Sequence, residues 1–172
     1  MEKITLKLFE FYNLDAELNG LRNQNTGETI SSGLLQEKLS LVTKYWLSDL
    51  AKKVAAEKAA VEELKNELIK KYGKEDERGG ISIPMVIDEL DADGNPITEK
   101  DAEGNDVTRK KLNPEFQQFE KDFNDLLQTE KELEYKTIKL EDFEKVETAD
   151  NYVTFFKLIK VEDTPVVPMP AK

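Results

Sequence analysis

The chain has 172 residues, of which 35% are charged, a net charge of −11, and neither cysteine nor histidine. Without cysteine there is no disulfide, thiolate nucleophile or zinc–thiolate site, and without histidine the commonest general base and transition-metal ligand is missing. These absences exclude the usual catalytic triads, so we expect a protein that is not an enzyme and that carries no cofactor and no metal ion. No stretch approaches the roughly 18 apolar residues of a membrane-spanning helix, and we expect no membrane partner.

The first elements are predicted to be a short strand at 4–6 and a helix over 7–19. The helix follows from apolar residues at spacings of three and four, and Gly20 stands where a glycine commonly ends a helix. A polar loop over 23–32, rich in turn-forming residues, separates this helix from the next element.

The longest predicted element is a single helix over 34–72, because these 39 positions contain neither glycine nor proline. At about 1.5 Å per residue it would be roughly 60 Å long. Its first half, as far as Trp46, has a wide apolar stripe and is expected to be buried more completely than the second half. Its second half has a narrow seam with the spacing of a coiled coil: Leu47, Leu50, Val54, Val61, Leu64 and Leu68.

The seam and Trp46 are candidate interface residues. The seam is predicted either to be covered by another helix of the same chain or to form an oligomer contact, and the two are compatible. Trp46 is expected either in the core or at an interface, where tryptophan is often an energetic hot spot.

An acidic arm of turns and short strands is predicted over 73–112. It contains a strand over 81–90, which Pro84 restricts to the edge of a sheet. A duplication follows, because 91–100 and 101–110 are identical at six of ten positions, and each copy places a Gly-Asn turn before a β-prone step. We expect this arm to project from the body of the protein.

Acidic residues dominate this part of the chain. Residues 73–150 carry 23 acidic and 11 basic groups, whereas 34–72 carry 6 acidic and 8 basic groups. Phosphate binding needs a basic stripe, which the sequence lacks, so we expect no nucleic-acid partner. The acidic surface is predicted either to be simply solvated or to dock on a basic partner. Its candidate interface residues are Asp91, Asp93, Asp101 and Glu103.

The same acidic residues match a calcium-binding loop only in part. An EF-hand frame on either copy places a lysine, Lys100 or Lys110, where a bidentate glutamate is required. Turn formation therefore explains the Asp, Gly and Asn residues better than calcium binding does.

A third helix is predicted over 113–129. Asn113 and Pro114 form a strong helix start, with asparagine as the cap and proline at the first helical position. Its length and spacing would let it lie antiparallel along the seam of the long helix. The apolar face that would do so comprises Phe116, Phe119, Phe123, Leu126 and Leu127.

The C-terminal part is predicted to contain a strand over 131–138. Residues 152–160 are β-prone and apolar on both faces, so periodicity does not decide between a buried strand and a short helix. Residues 161–172 contain three prolines and form a tail that we expect to be extended or disordered.

The predicted fold class is α+β and mainly helical. The long helix would belong to a helical hairpin or small bundle formed by 7–19, 34–72 and 113–129. A small antiparallel sheet would come from 81–90, 131–138 and, as a third candidate strand, 152–160. We expect a single elongated domain over 1–160, with the arm 73–112 inserted between helices, followed by the tail 161–172.

Two stretches of the chain carry a family resemblance: LDAELNGLRNQNTGETISSGLLQEKLSLVTKYWLSDLAKKV (14–54) and LNPEFQQFEKDFNDLLQTEKELEYKTIKLEDFEKV (112–146). With the acidic DxxGN inserts between them, they resemble a family of small, mostly uncharacterised proteins of tailed bacteriophages and prophages, including gut phages that infect Bacteroidetes. The resemblance implies a phage-encoded accessory or virion-region protein, and it leaves open whether the protein is part of the particle. We expect the protein in the host cytoplasm during assembly, with the virion as a second candidate location. It carries over no catalytic residues.

The sequence therefore leads us to expect a non-enzymatic phage protein that acts through protein–protein contacts. It would be a structural component of the connector or tail region of the virion, or an assembly factor for it. The expected partners are other phage structural proteins or further copies of the chain, because the seam is longer than the Phe-lined helix can cover. The alternative is an acidic inhibitor that imitates nucleic acid and blocks a host defence or DNA-binding protein.

Overall fold

The computed structural model describes residues 1–23, 25–76, 79–143, 146 and 152–160. The proline-rich tail therefore lies outside the described residues. Of these residues 46% are helical and 26% lie in strands, so the α+β class is confirmed, although the fold is not clearly mainly helical. Where one elongated domain was expected, contacts within the chain gather in two compact units. Unit 1 comprises Met1–Ala59 and Glu130–Lys172, and unit 2 comprises Ala60–Thr129.

The helices and strands of the described residues are mostly short. The α-helices are α1 (Leu8–Asn19), α2 (Leu41–Tyr72) and α3 (Pro114–Leu127), with 3-10 turns at Leu34–Gln36, Leu140–Phe143 and Phe155–Leu158. The strands are β1 (Glu2–Lys7), β2 (Leu21–Arg22), β3 (Thr29–Ser31), β4 (Lys74–Glu75), β5 (Ile81–Ser82), β6 (Val86–Asp88), β7 (Thr98–Lys100), β8 (Asp106–Thr108), β9 (Lys110–Leu112), β10 (Glu130–Tyr135), β11 (Ile138–Lys139) and β12 (Ile159–Lys160). They pair two by two: β1–β10, β2–β3, β4–β5, β6–β9 and β7–β8 antiparallel, and β11–β12 parallel.

In unit 1, β1 and β10 form a ribbon with one apolar and one charged face. Leu6 and Leu133 are buried on one face, as the period-two alternation of a strand requires. On the other face the Lys3 ammonium lies 2.6 Å from Glu132 and 3.2 Å from Glu134. The hydrogen bond to Glu132 raises the pKa of Lys3 above its ordinary value. The apolar face of the ribbon belongs to the core of unit 1.

Helix α1 confirms the prediction for 7–19 and ends at Gly20, as expected. After α1, the backbone at Gly20 passes close to the backbone at Gly33, which directly precedes the 3-10 turn Leu34–Gln36. A Cβ atom on Gly33 would lie 2.3 Å from the Gly20 nitrogen and 2.4 Å from the Leu18 carbonyl oxygen. Only glycine fits there, because each of those neighbours is a backbone atom that cannot rotate away.

Helix α2 begins at Leu41, seven residues later than predicted. The Ser40 hydroxyl accepts a hydrogen bond from the Thr43 N–H (3.1 Å), which is the contact that caps a helix. The residues before it form a 3-10 turn at Leu34–Gln36, in which Leu34 is buried. Because 34–72 contains neither glycine nor proline, the sequence was compatible with a helix that begins at 34. That pattern does not show that Ser40 caps the helix and so sets its start at Leu41.

The first half of the seam of α2 is part of the core of unit 1. Leu47, Leu50 and Val54 are at most 3% exposed. Helix α1 is tied to α2 by a salt bridge between Lys58 and Asp15 (2.6 Å). On the side of β10, Lys131 pairs with Glu57 (3.3 Å), and the Lys53 ammonium donates to the carbonyl of Glu134 (3.2 Å). The seam was predicted either to be covered by another helix of the same chain or to form an oligomer contact. For this half, α1 and β10 of the same chain belong to the same unit as the buried side chains.

The C-terminal segment of unit 1 is held to α1 by a carboxylate. Glu17 accepts hydrogen bonds from the N–H groups of Thr154 (2.9 Å) and Phe155 (2.6 Å), which start the 3-10 turn Phe155–Leu158. The sequence left strand and helix open for 152–160, and the structure has the turn followed by β12. Strand β12 pairs in parallel with β11, so its expected antiparallel pairing is wrong.

The expected sheet that joined 81–90 to 131–138 does not form. Around Pro84 the predicted strand is split into β5 and β6, which pair with β4 and β9 inside unit 2. Strand β10 pairs instead with β1, because their alternating apolar residues form one continuous buried face. The helix predicted over 113–129 is confirmed as α3, and its cap is Asn113, whose side-chain oxygen accepts from the Glu115 N–H (3.1 Å).

The substitution Gly33→Ala tests the backbone crossing. It should lower the free energy of unfolding by about 2 kcal/mol, because the new methyl group forces two backbone segments apart. Gly27→Ala is the control: Gly27 has φ +72° but nothing within 4 Å of the added atom, so only its backbone conformation is penalised. Urea unfolding followed by far-UV circular dichroism compares them. Equal losses for the two variants would contradict the crossing.

Candidate protein-interaction surfaces

Part of the predicted interface is inaccessible. Leu47, Leu50 and Val54 are enclosed by the chain's own elements in unit 1, and Val61 is 2% exposed. These four side chains are corrected from candidate interface residues to core residues. The sequence pattern identified a contact surface of the helix correctly, but a seam does not say whether its partner belongs to the same chain.

Trp46 stands in a groove of unit 1 with a volume of about 430 Å³. Val42 and Ile138 give the groove apolar walls, and Lys136 and Lys139 lie on its β11 side. The Lys136 ammonium is 5.7 Å from the centre of the Trp46 ring, which is within the range of a cation–π contact. The groove therefore combines an aromatic surface with positive charge.

The helix start beside this groove is unexpectedly exposed. Leu41 is 87% exposed, Val42 67% and Tyr45 66%, and the Tyr45 ring packs edge-on against Trp46 with centroids 4.9 Å apart. The prediction that the first half of the helix is buried more completely is wrong at these positions. The buried side runs through Thr43, Leu47 and Leu50, and residues one or two positions away from it face outward. Several adjacent exposed apolar side chains are typical of a contact surface.

Unit 2 has almost no interior. Among its described residues, Val61 and Asn113 alone are buried. The Asn113 side chain donates to the carbonyl of Pro84 (2.8 Å) and so fixes the start of α3 against the arm. No residue of α3 itself is buried. The apolar face predicted for this helix exists, but the chain covers it only in part.

Helix α3 and the second half of α2 share this half-covered apolar surface. The face comprises Phe116, Phe119, Phe123, Leu126 and Leu127 on α3 with Leu64 and Leu68 on α2. Phe119 and Phe123 stack with centroids 5.8 Å apart, while Leu64 is 44% exposed. A cleft of about 280 Å³ lies between Leu68 and Leu126. We call these seven residues the unit 2 apolar face.

Polar contacts hold α3 beside α2 at one end of that face. The Tyr72 hydroxyl donates to the Asp122 carboxylate (2.5 Å), and the Lys71 ammonium lies 3.4 Å from the same group. The hydrogen bond from Tyr72 is the main reason why the pKa of Asp122 lies below its ordinary value. These contacts position the two helices without filling the space between them.

The acidic arm is built on a three-way junction of backbone hydrogen bonds. The Glu89 N–H donates to Arg109 O (2.9 Å), the Arg109 N–H donates to Ile97 O (2.8 Å), and the Ile97 N–H donates to Glu89 O (2.8 Å). The paired strands β6 and β9 and the two duplicated turns extend from these three hydrogen bonds. The Arg109 guanidinium lies 3.6 Å from both Glu89 and Glu99. Sequence reasoning found the duplicated turns but missed Arg109, which in the sequence is only the first of three consecutive basic residues, 109–111.

The two duplicated turns have the same geometry. The Asp91 carboxylate accepts from the N–H groups of Asp93 and Asn95 (2.9 Å each), and the Asp101 carboxylate accepts from Glu103 (2.9 Å) and Asn105 (2.8 Å). The glycine of each turn has φ of +86° or +87°, which other residues rarely adopt. The N–H of Asn95 and that of Asn105 are the main causes of a lowered pKa at Asp91 and Asp101 respectively.

Asp91, Asp93 and Glu103 are exposed and Asp101 is half-buried, and the four residues do not form one cluster with a single role. Asp91 and Asp101 use their carboxylates to close the turns, whereas Asp93 and Glu103 contribute backbone N–H groups. Elsewhere in the arm the acids are partly neutralised, as Lys100 pairs with Asp106 (3.2 Å) and Lys110 with Asp88. These pairs place positive charge beside two of the acids without changing the net charge of the arm.

Within the described parts of the chain, no three acidic residues are grouped so that they could hold a metal ion. The same residues contain no helix long and apolar enough to cross a membrane. The paired acids Glu141 and Asp142 are exposed. Comparison with protein-family models, curated proteins and solved structures gave no match to this chain.

The two turns predict equal responses to substitution and to acid. Asp91→Ala and Asp101→Ala should each speed amide exchange of the asparagine four residues later, Asn95 or Asn105, because that N–H loses its acceptor. Since both folded-state pKa values are lowered, their contribution to stability is complete above the unfolded pKa of about 3.9 and is lost as the pH falls through the folded values.

Two-dimensional NMR of the two asparagine amides checks this prediction. Asp91→Asn and Asp101→Asn are the matched controls, because the side-chain oxygen still accepts while the charge is removed. Both should keep the turn but remove its acid sensitivity. Unchanged exchange in the alanine variants would contradict the assigned role of the carboxylates.

Proposed function

We propose that this is a non-enzymatic phage protein that acts through protein–protein contacts, as a structural component of the connector or tail region of the virion or as an assembly factor for it. The observation that carries the proposal is the unit 2 apolar face. A strongly amphipathic helix with no buried residue is incomplete as a folded element. A partner that covered it would supply the missing burial.

The phenylalanines of the unit 2 apolar face would gain further burial from a partner. Covering one such side chain fully contributes about 1.5–3 kcal/mol, and Phe116, Phe119 and Phe123 all remain half-buried. Unit 2 has a single buried apolar residue, Val61, among those the structure describes, which is little to offset the entropy lost on ordering its backbone. Burial of these side chains against a partner is the simplest way to offset that lost entropy.

A further copy of the chain is the partner we propose first. Two copies of the unit 2 apolar face would form an isologous contact, in which the same residues serve both sides. The charged groups around the face include both signs, with Lys71 and Asp122 paired and Lys65 paired with Glu62 (3.4 Å), so two copies would not repel strongly there. Other phage structural proteins are the second class of partner.

The phage assignment itself depends on the resemblance of 14–54 and 112–146. It is consistent with a protein that presents contact surfaces. On this proposal the protein is found in the host cytoplasm during assembly, and a structural component would also be found in the virion. Mass spectrometry of purified particles from the source phage tests this: stoichiometric copies support a structural role, and presence in infected cells alone supports an assembly factor or an inhibitor.

The acidic inhibitor is a weaker candidate. The exposure of Asp93 and Glu103 favours it, but the pairing of Arg109, Lys100 and Lys110 with neighbouring acids reduces the field that would imitate phosphates. Salt separates the two functions, because binding to a basic partner weakens steeply with ionic strength whereas apolar association does not.

Phe119→Glu tests the proposed contact. We expect the full-length protein to self-associate at micromolar concentration, and the substitution to raise the dissociation constant roughly 30-fold or more, as for loss of an interface hot spot. Gln117→Glu is the matched control, because it adds the same charge to the exposed polar side of the same helix. Sedimentation velocity measures both variants. A wild-type monomer throughout, or equal effects of the two substitutions, would contradict a contact through this face.

A further inference from the structure

We propose that the groove at Trp46 binds the chain's own C-terminal tail, residues 161–172, within the same copy. The groove belongs to unit 1 and is separate from the unit 2 apolar face. The inference therefore goes beyond the proposed function and does not depend on self-association.

The groove has the chemistry that recognises a proline-rich segment. Trp46 provides a flat aromatic surface, and Val42 and Ile138 add apolar walls. Aromatic-lined grooves are the usual binding sites for segments in the polyproline II conformation. The Lys136 ammonium lies over the Trp46 ring, Lys139 pairs with Glu141 (3.7 Å), and Asp142 is the one acidic residue that lines the groove. Lys136 is therefore the lining cation beside the aromatic surface, and a ligand that joins prolines to a negative charge fits this lining.

The tail has that composition. Its sequence is VEDTPVVPMPAK, in which Pro165 and Pro168 stand three positions apart. In a polyproline II helix, with three residues per turn, these two rings lie on the same face. Glu162 and Asp163 precede them, so the acids enter the groove region first and the prolines follow.

Strand β12, the last described element before the tail, ends beside the groove lining. Strand β12 pairs with β11 so that Ile159 is opposite Ile138 and Lys160 is opposite Lys139. The residues opposite are themselves part of the groove lining. The chain thus enters the tail one strand spacing, about 4.8 Å, from the lysine side of the groove. Twelve residues in extended form reach about 37 Å, which is enough to cross the groove.

Tethering makes even a weak contact effective. A short link gives a local concentration in the millimolar range, and the fixed φ of proline reduces the entropy lost on binding. A bound tail would cover the exposed apolar residues at the start of α2, including Val42 and Tyr45. Any outside ligand of the groove would first have to displace it.

Trp46 is the single tryptophan of the chain, so its fluorescence reports directly on the groove. Removal of residues 161–172 should raise the acrylamide quenching constant about twofold, because a covered indole has one of its two faces shielded. A synthetic peptide of the tail sequence should reverse this change. Reversing the charge with Glu162→Lys and Asp163→Lys should also raise quenching, and it serves as a second route if the shortened chain loses its circular dichroism spectrum.

The matched control is the pair Glu103→Lys and Glu120→Lys, which makes the same charge change at exposed positions of unit 2 and should leave quenching unchanged. The wild-type constant should be independent of protein concentration and should not change with Phe119→Glu, which separates this inference from the proposed self-association. Equal quenching with and without the tail would overturn the proposal. Quenching that depends on concentration would overturn binding within one copy.

Discussion

The burial of one side of helix α2 is the constraint on which the rest of unit 1 depends. Leu47, Leu50 and Val54 point into a core made with α1 and the β1–β10 ribbon, and this sets the rotation of the helix about its axis. Once the rotation is set, Tyr45 must face outward beside Trp46. The exposed helix start and the groove are therefore consequences of core packing rather than independent features.

The two units use their apolar residues differently. Unit 1 covers its own: Phe11, Leu14 and Leu18 of α1 are fully buried. Unit 2 leaves the larger part of its apolar side chains half-covered, and its arm is held by backbone hydrogen bonds at the junction of Glu89, Ile97 and Arg109. Such an arm can be ordered without a core, since hydrogen bonds and turn geometry suffice locally. The helices of unit 2 have no comparable substitute for burial, which is the physical reason to infer a partner.

Local signals predicted local structure well. The helix end at Gly20, the cap contact from Asn113 to Glu115 and the duplicated turns each involve residues within five positions, so the sequence alone indicated them correctly. Pairing across long distances was not predictable in the same way: 131–138 was assigned to the wrong partner because any strand with an apolar face could have matched it. The seam was recognised, but its division into a buried half in unit 1 and an accessible part at Leu64 and Leu68 depends on which elements fold against it.

The central claim is that the unit 2 apolar face is covered by a second copy. Hydrogen–deuterium exchange of the α3 amides at two protein concentrations, one well below and one well above the association range, tests it most directly. The account predicts that protection of Phe116, Phe119 and Phe123 rises at the higher concentration, while that of α1 in unit 1 stays constant. Equal protection of α3 at both concentrations, in a chain that sediments as a monomer, would contradict it.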